Sequence, residues 1–213
     1  AHVLYDIEAQ VPAFYTVTTA SKHDSTAMSS IHYEPNAYYI FDRAYDSFKE
    51  LYRIHLTDSF FVVRAKTNLK YKTVKWKRRM PKNITTDAEV KLTGYLSGKK
   101  YPESFRLVRY YDEEDDRELT FLTNAKQLSA LDVANLYKKR WLIELFFKWL
   151  KQHLKIKKFW GTTENAVRIQ ISVAIITYSL VAIVQHDMNL KRSTYEVLQI
   201  LSISLTDKTH LRD

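Results

Sequence analysis

The chain has 213 residues, with 33 Lys plus Arg against 24 Asp plus Glu, a net charge of +9, no Cys and only three Gly. The absence of Cys excludes disulfide scaffolds, zinc–thiolate sites and thiol catalysis and fits a reducing compartment, while so few Gly argue against phosphate loops and Gly-rich nucleotide folds. At 46% hydrophobic residues the chain can bury a core, and its charge favours a polyanionic partner, nucleic acid before an anionic membrane.

His2–Ile7 and Ala13–Thr19 are β-rich, with a Pro-containing turn between them, and predict a hairpin. Ala37–Phe41 is a compact apolar run that ends at Asp42. Phe48, Leu51, Tyr52 and His55 recur at helical spacing within Ser47–Leu56, and Phe60–Ala65 predicts another buried strand. Strand, helix, strand in that order suggests a parallel crossover in a mixed sheet. Lys66–Lys82 then holds eight Lys or Arg together with Tyr71 and Trp76. EVKLTGYL, SFRLVRYY and ELTFLTN follow as three strands, with the acidic run Asp112–Glu118 as a solvated turn. This segment predicts a small antiparallel β-insertion. Ser129 and Asp132 form an S-x-x-D capping box ahead of one long helix to about Lys157. Thr163 caps a second long helix to about Asn189, and a third follows Ser193. The apolar stretch Ile171–Val184 contains Ser172, Thr177, Tyr178 and Ser179, is too short to span a bilayer, and reads as a buried helix.

The chemistry concentrates in YKKRWLIELFFKWLK, Tyr137–Lys151. On one helix, at about 100° per residue, Arg140, Glu144 and Lys151 fall within about 60° of Tyr137. The rest of the circumference is largely apolar, so the helix is expected to be buried, where a carboxylate is costly unless paired or metal-bound. Two readings fit: a structural Arg140–Glu144 ion pair, or an acidic metal ligand flanked by an aromatic ring and two phosphate-gripping cations. Asp42 ends a strand, where α/β sheets present ligand-binding groups, although Asp also starts turns. Asp46 or Ser47 is the better cap for the next helix, which leaves Asp42 available.

Tyr137, Arg140, Glu144 and Lys151 reproduce the Y-x2-R-x3-E-x6-K signature, and the chain resembles the DDE transposases of bacterial insertion sequences. IFDRAYDSFKELY, Ile40–Tyr52, is similar to that family's second-Asp segment, and SKHDS and GTTENAVRIQI are similar to its flanking segments. The resemblance implies an α/β, RNase H-like mixed sheet flanked by helices, with an inserted antiparallel β subdomain and a helical C-terminal part. The expected division is 1–65 for the first part of the core, 66–124 for the insertion and 125–213 for the second part with the Glu helix. The resemblance further implies cut-and-paste DNA transposition by metal-dependent cleavage and strand transfer at transposon ends. Asp42 and Glu144 would be catalytic and would bind Mg²⁺ or Mn²⁺ in a two-metal site. Tyr137, Arg140 and Lys151 would contact DNA near the cleaved phosphate.

Trp76 is a further DNA candidate, able to hold an extruded base, or else a core residue of the insertion. Lys155, with Lys151, Lys157 and Lys158, could extend the DNA track or be a solvated helix end. The implied partners are transposon-end and target DNA and a second copy in a homodimer, with no membrane, in the bacterial cytoplasm at the nucleoid. The family's first catalytic Asp precedes the hairpin, so an amino-terminally truncated and inactive fragment is expected. Asp6 reads as a turn residue and Asp24 as part of a flanking motif, and neither is assigned to catalysis. The alternatives are a DNA-binding relative without catalysis and an RNase H-like nuclease without strand transfer.

Overall fold

The computed structural model describes residues 1–18, 27–45, 47–77, 79–154, 156 and 159–204. Of the segments and residues singled out above, SKHDS, Asp24, Asp46, Lys155, Lys157 and Lys158 lie outside the described residues. The chain divides into two compact units, Thr19–Arg140 and Ala1–Thr18 with Trp141–Asp213.

The Thr19–Arg140 unit is mixed α/β. Among the described residues, its six-stranded sheet is built from β3 (Tyr38–Phe41), β4 (Phe60–Arg64), β5 (Tyr71–Trp76), β6 (Ile84–Leu92), β7 (Ser104–Asp112) and β8 (Arg117–Thr123) in the order β3-β4-β8-β7-β6-β5. β3 and β4 are parallel and are joined by α1 (Phe48–Leu56), the crossover that the sequence suggested. The other neighbours pair antiparallel. The strands of 66–124 therefore continue the sheet of β3 and β4 through the β4–β8 pairing. Two elements here were not expected. YKTVKW forms edge strand β5, and Tyr95–Lys100 forms a short helix, α2, where EVKLTGYL had suggested only strand.

α3 (Ala130–Lys138) starts at the capping box: Asp132 N–H donates to Ser129 Oγ, and Ser129 N–H donates to the Asp132 carboxylate. Its Ala130, Val133, Ala134 and Tyr137 pack on Val62, Val108 and Phe121 of the sheet. With Gly so scarce, left-handed turn positions fall to Asn36, Asp58, Asn83 and Asp116 in this unit, residue types that tolerate positive φ.

The expected single helix from Ser129 to Lys157 is interrupted. α3 ends at Lys138, and α4 (Trp141–His153) begins three residues later. The last turn of α3 tightens: Lys139 N–H donates to the Leu136 carbonyl at 3.1 Å and Arg140 N–H to the Tyr137 carbonyl at 3.0 Å. Such i→i+3 bonds close a helix end without Pro or Gly. Tyr137 and Glu144 are thus on different helices, and the single four-residue stripe expected from one continuous helix does not form.

The second unit pairs β1 (His2–Asp6) with β2 (Val11–Thr16) in the expected antiparallel hairpin. α4 and α5 (Glu164–Asp187) pack with it around Phe146, Leu150, Ala174, Ile175 and Tyr178. Tyr5 and Tyr178 share a hydroxyl contact of 3.0 Å, and burial together with Tyr178 pushes the Tyr5 phenol far up. Asp6 Oδ1 accepts from the N–H groups of Glu8 and Ala9, the turn role that the sequence assigned it. Thr163 caps α5 as expected, and α6 (Thr194–Ser204) is the third expected helix.

α4 and α5 are less buried than their composition suggested. Trp141 and Leu145 of α4 are exposed, and only Phe146 and Leu150 are fully enclosed. On α5 the buried residues are Ala174, Ile175, Tyr178 and Val181, while Ile169, Val173, Ile176, Leu180 and Ile183 stand exposed. Among the described residues, α5 is the one helix long and apolar enough to cross a membrane, by length and composition alone.

Candidate active site

Asp42 directly follows β3 and is half-buried. A short 3-10 turn over Arg43–Tyr45 follows it, and Tyr45 N–H closes that turn on the Asp42 carbonyl. The Asp42 side chain accepts two hydrogen bonds, both on Oδ1: from Arg43 N–H at 2.7 Å and from the Tyr137 hydroxyl at 3.2 Å. Among the described residues Oδ2 accepts none, so the two bonds fix the carboxylate through one oxygen.

Tyr137 reaches Asp42 from α3 across 95 residues of sequence. Its ring is buried, sits 4.7 Å from the ring of Phe121, and has the Arg140 guanidinium 5.6 Å from its centroid. Burial, then the charge of Asp42, pushes the Tyr137 phenol up; Arg140 and Arg64 oppose that shift without cancelling it. The hydroxyl therefore stays protonated and remains a donor. Parallel pairing sets Phe41 against Val63, which brings Arg64 to the same end of the sheet as Asp42. Asp42, Tyr137, Arg140 and Arg64 thus gather within one unit as an acid beside two guanidinium groups.

In the other unit, Glu144 is half-buried in the first turn of α4. It lines an open depression of about 490 Å³ together with Phe147, Lys148, Lys151 and Gln152. Glu144, Lys148 and Lys151 are at i, i+4 and i+7 and share one helix face. A carboxylate one turn ahead of two exposed lysines offers an oxygen donor for a hard cation beside point charges for phosphate. Trp76 ends edge strand β5 with 62% of its surface exposed, which rules out its core alternative.

The signature spacing and the strand-end position point to Asp42, Tyr137, Arg140, Glu144 and Lys151, and leave out the neighbouring Arg64, Lys148 and Gln152. Lys148 was readable as the i+4 neighbour of Glu144. Arg64 was readable only once β4 was paired parallel to β3. Among the described residues, no group of three or more His, Cys, Asp or Glu side chains is placed to hold a metal ion. The fit to a divalent cation therefore rests on donor chemistry: hard carboxylate oxygens at Asp42 and Glu144 suit Mg²⁺ or Mn²⁺.

One unit thus holds a strand-end Asp fixed by a buried Tyr, and the other a Glu that shares a helix face with two lysines. The Transposase DDE domain family matches residues 1–180 of this chain. A protein of Sinorhizobium fredii named for a transposase, y4zB, is 34% identical over 217 aligned positions, covering all of this chain and 60% of the relative. A protein of Geobacillus stearothermophilus, named for the transposase of insertion sequence element IS5377, is 32% identical across 84% of this chain and 47% of its own length. One from Synechocystis, named for insertion sequence element IS4SA, is 29% identical across 67% of this chain and 40% of its own. The chain belongs to the DDE transposase family of insertion sequences. It spans 40–60% of the length of these three relatives.

Proposed function

We propose that this chain carries the catalytic face of a cut-and-paste transposase, which cleaves DNA at transposon ends and joins them to target DNA. The Tyr137–Asp42 hydrogen bond is the observation that carries this reading. The signature tyrosine and the acid of a separate sequence segment meet through the fold, although neither segment implies the other. Asp42 and Glu144 would hold Mg²⁺ or Mn²⁺. Bound there, the metal would activate the attacking oxygen and relieve charge at phosphorus.

The chain's own residues do the rest. Tyr137 holds the Asp42 carboxylate in one orientation through a proton it does not give up. Arg140 presents a planar fork to a phosphate, and Arg64 adds positive potential at the same end of the sheet. Lys148 and Lys151 supply point charges beside Glu144. Trp76 and Lys155 extend the DNA contact, with the exposed indole available to stack on a base. A homodimer holding two ends on the bacterial nucleoid completes the reading.

The test uses a protein of the relatives' full length with a transposon-end duplex. Glu144→Gln is expected to abolish cleavage and leave end binding within about threefold. Retained cleavage would remove Glu144 from the chemistry. Cleavage without joining in the parent protein would favour an RNase H-like nuclease, and end binding with neither activity would favour a decayed DNA-binding relative.

A further inference from the structure

Edge strand β5 pairs antiparallel with β6, and residues directly opposite one another in such a pair share a face of the sheet. Lys72 stands opposite Lys91, and Lys75 opposite Glu89. In an unbulged strand Lys72 and Lys75, three residues apart, would fall on opposite faces. The register shift between Thr73 and Lys75 leaves Val74 without an opposite residue and returns both lysines to one face. Lys77 joins them: its N–H donates to the Asp87 carbonyl at 3.0 Å, and its ammonium lies 3.3 Å from the Asp87 carboxylate. Lys126 reaches the same face, 3.3 Å from Glu89. All five lysines are exposed.

The acids beside them are already engaged. Arg106 and Lys77 hold Asp87. The Ser104 hydroxyl donates to Glu89, and that bond, followed by Lys126 and Lys75, keeps the Glu89 carboxyl below the usual range. Among the described residues neither Lys72 nor Lys91 has an acidic group within ion-pair distance. Like charges directly opposite across a ladder repel, so this pair costs the fold stability. An anion lying over both would turn the repulsion into a two-point grip.

We propose that this face of the β5–β6 ladder is a second DNA surface, which takes double-stranded DNA of any sequence by its phosphates through Lys72, Lys91, Lys75 and Lys126. Strand residues two apart are separated by about 6.6 Å, and a duplex carries one charge per about 1.7 Å of its axis, so each ammonium can meet its own phosphate. A membrane surface fits less well, because peripheral binding to lipid combines cations with inserted apolar side chains. Trp76, opposite Ala88, is on the other face of the strand. β5 and β3 are the two edges of the six-stranded sheet, five strand spacings or about 24 Å apart. DNA held here is therefore remote from Asp42, and these lysines bind and orient it without touching the reacting phosphate. The choice of DNA as partner rests on the proposed function, but the surface does not depend on the chemistry at Asp42 and Glu144.

The test measures binding of the full chain to a duplex of about 20 base pairs without a transposon end, over a range of salt concentrations. Lys72→Gln and Lys91→Gln are each expected to weaken binding about three- to tenfold and to reduce the slope of log affinity against log salt by about 0.9. Each should leave Tm unchanged or raise it by about 1–3 °C at low salt, because a like-charge pair is removed. Glu89→Gln should tighten binding by releasing Lys75 and Lys126 to phosphates. Weaker binding together with an equal or higher Tm is a combination that a purely structural lysine does not give. Three results would each overturn the proposal: unchanged affinity and slope in both lysine variants, weaker binding accompanied by a Tm lowered by more than about 5 °C, or lost binding to vesicles of equal phosphatidylcholine and phosphatidylglycerol with duplex binding intact. No cleavage is measured, so failure here leaves the Glu144→Gln test of the proposed function standing, and failure of that test leaves this one standing.

Discussion

At Tyr137 one side chain serves two purposes, and substitution can separate them. The ring packs at a tilt against Phe121 and carries Arg140 on its face, and the hydroxyl holds Asp42. Tyr137→Phe removes only the hydrogen bond and is expected to cost about 1 kcal/mol of stability or less. In a full-length protein it should lower cleavage more than tenfold while DNA-end binding changes little. Tyr137→Ala also leaves a cavity and is expected to cost about 3–5 kcal/mol. Equal effects of the two on cleavage, at matched folded fractions, would reduce the hydroxyl to a bystander. Arg140→Ala and Lys151→Ala should each weaken DNA binding with little regard to sequence, and each should reduce the slope of log affinity against log salt by about 0.9. An unchanged slope removes that residue from the phosphate contacts. The sequence identified these residues from their spacing, but it assigned Tyr137 to DNA alone. Its burial against Asp42 became visible only once α3 had been docked on the sheet, because that contact spans 95 residues.

Among the elements, the sheet that carries Asp42 depends on a buried ion pair outside the site. Arg106 of β7 donates to both oxygens of Asp87 on β6, at 2.6 and 2.7 Å, and to the Leu128 carbonyl at 2.6 Å just before α3. Burial works against the Asp87 carboxylate, but the hydrogen bonds and charge of Arg106, with Lys77 3.3 Å away, outweigh it and hold its pKa below the usual carboxylate range. A folded pKa below the unfolded one means stability that is fully present above about pH 4–5 and lost as pH falls through the folded value. Asp87→Asn should therefore flatten the acid limb of Tm against pH. Arg106→Met at neutral pH leaves a buried carboxylate poorly paired and should cost about 3–5 kcal/mol, or roughly 10 °C in Tm. If Asp87→Asn leaves the acid limb unchanged, other carboxylates control it. The apolar strands β3, β4, β7 and β8 and the capped helices α3 and α5 were legible because period and caps are local signals. Edge strand β5 was not, since its lysines mask the alternation. The break at Lys139–Arg140 was not either, since no Pro or Gly marks it and only closing hydrogen bonds produce it.

At the scale of the whole molecule the two acids of the proposed site belong to different units, Asp42 to Thr19–Arg140 and Glu144 to the other. Each presents its carboxylate without two further acidic or His side chains beside it among the described residues. Lone carboxylates bind Mg²⁺ weakly, because the ion keeps most of its water and needs several oxygen donors to give it up. Binding at a concentration near its dissociation constant stabilises a fold by about 0.4 kcal/mol, whereas a hundredfold excess gives about 2.7 kcal/mol. For a domain of this size those values correspond to roughly 1 °C and 5–10 °C in Tm. Millimolar Mg²⁺ is therefore expected to raise the Tm of this chain by no more than about 2 °C, with Glu144→Gln and Asp42→Asn each removing part of so small a rise. The same titration with a transposon-end duplex present should give a larger shift, because the DNA phosphates supply oxygens that the protein lacks. A rise above about 5 °C without DNA would mean that the chain already offers the ion several well-placed oxygen donors, and the expectation of weak binding would have to be abandoned.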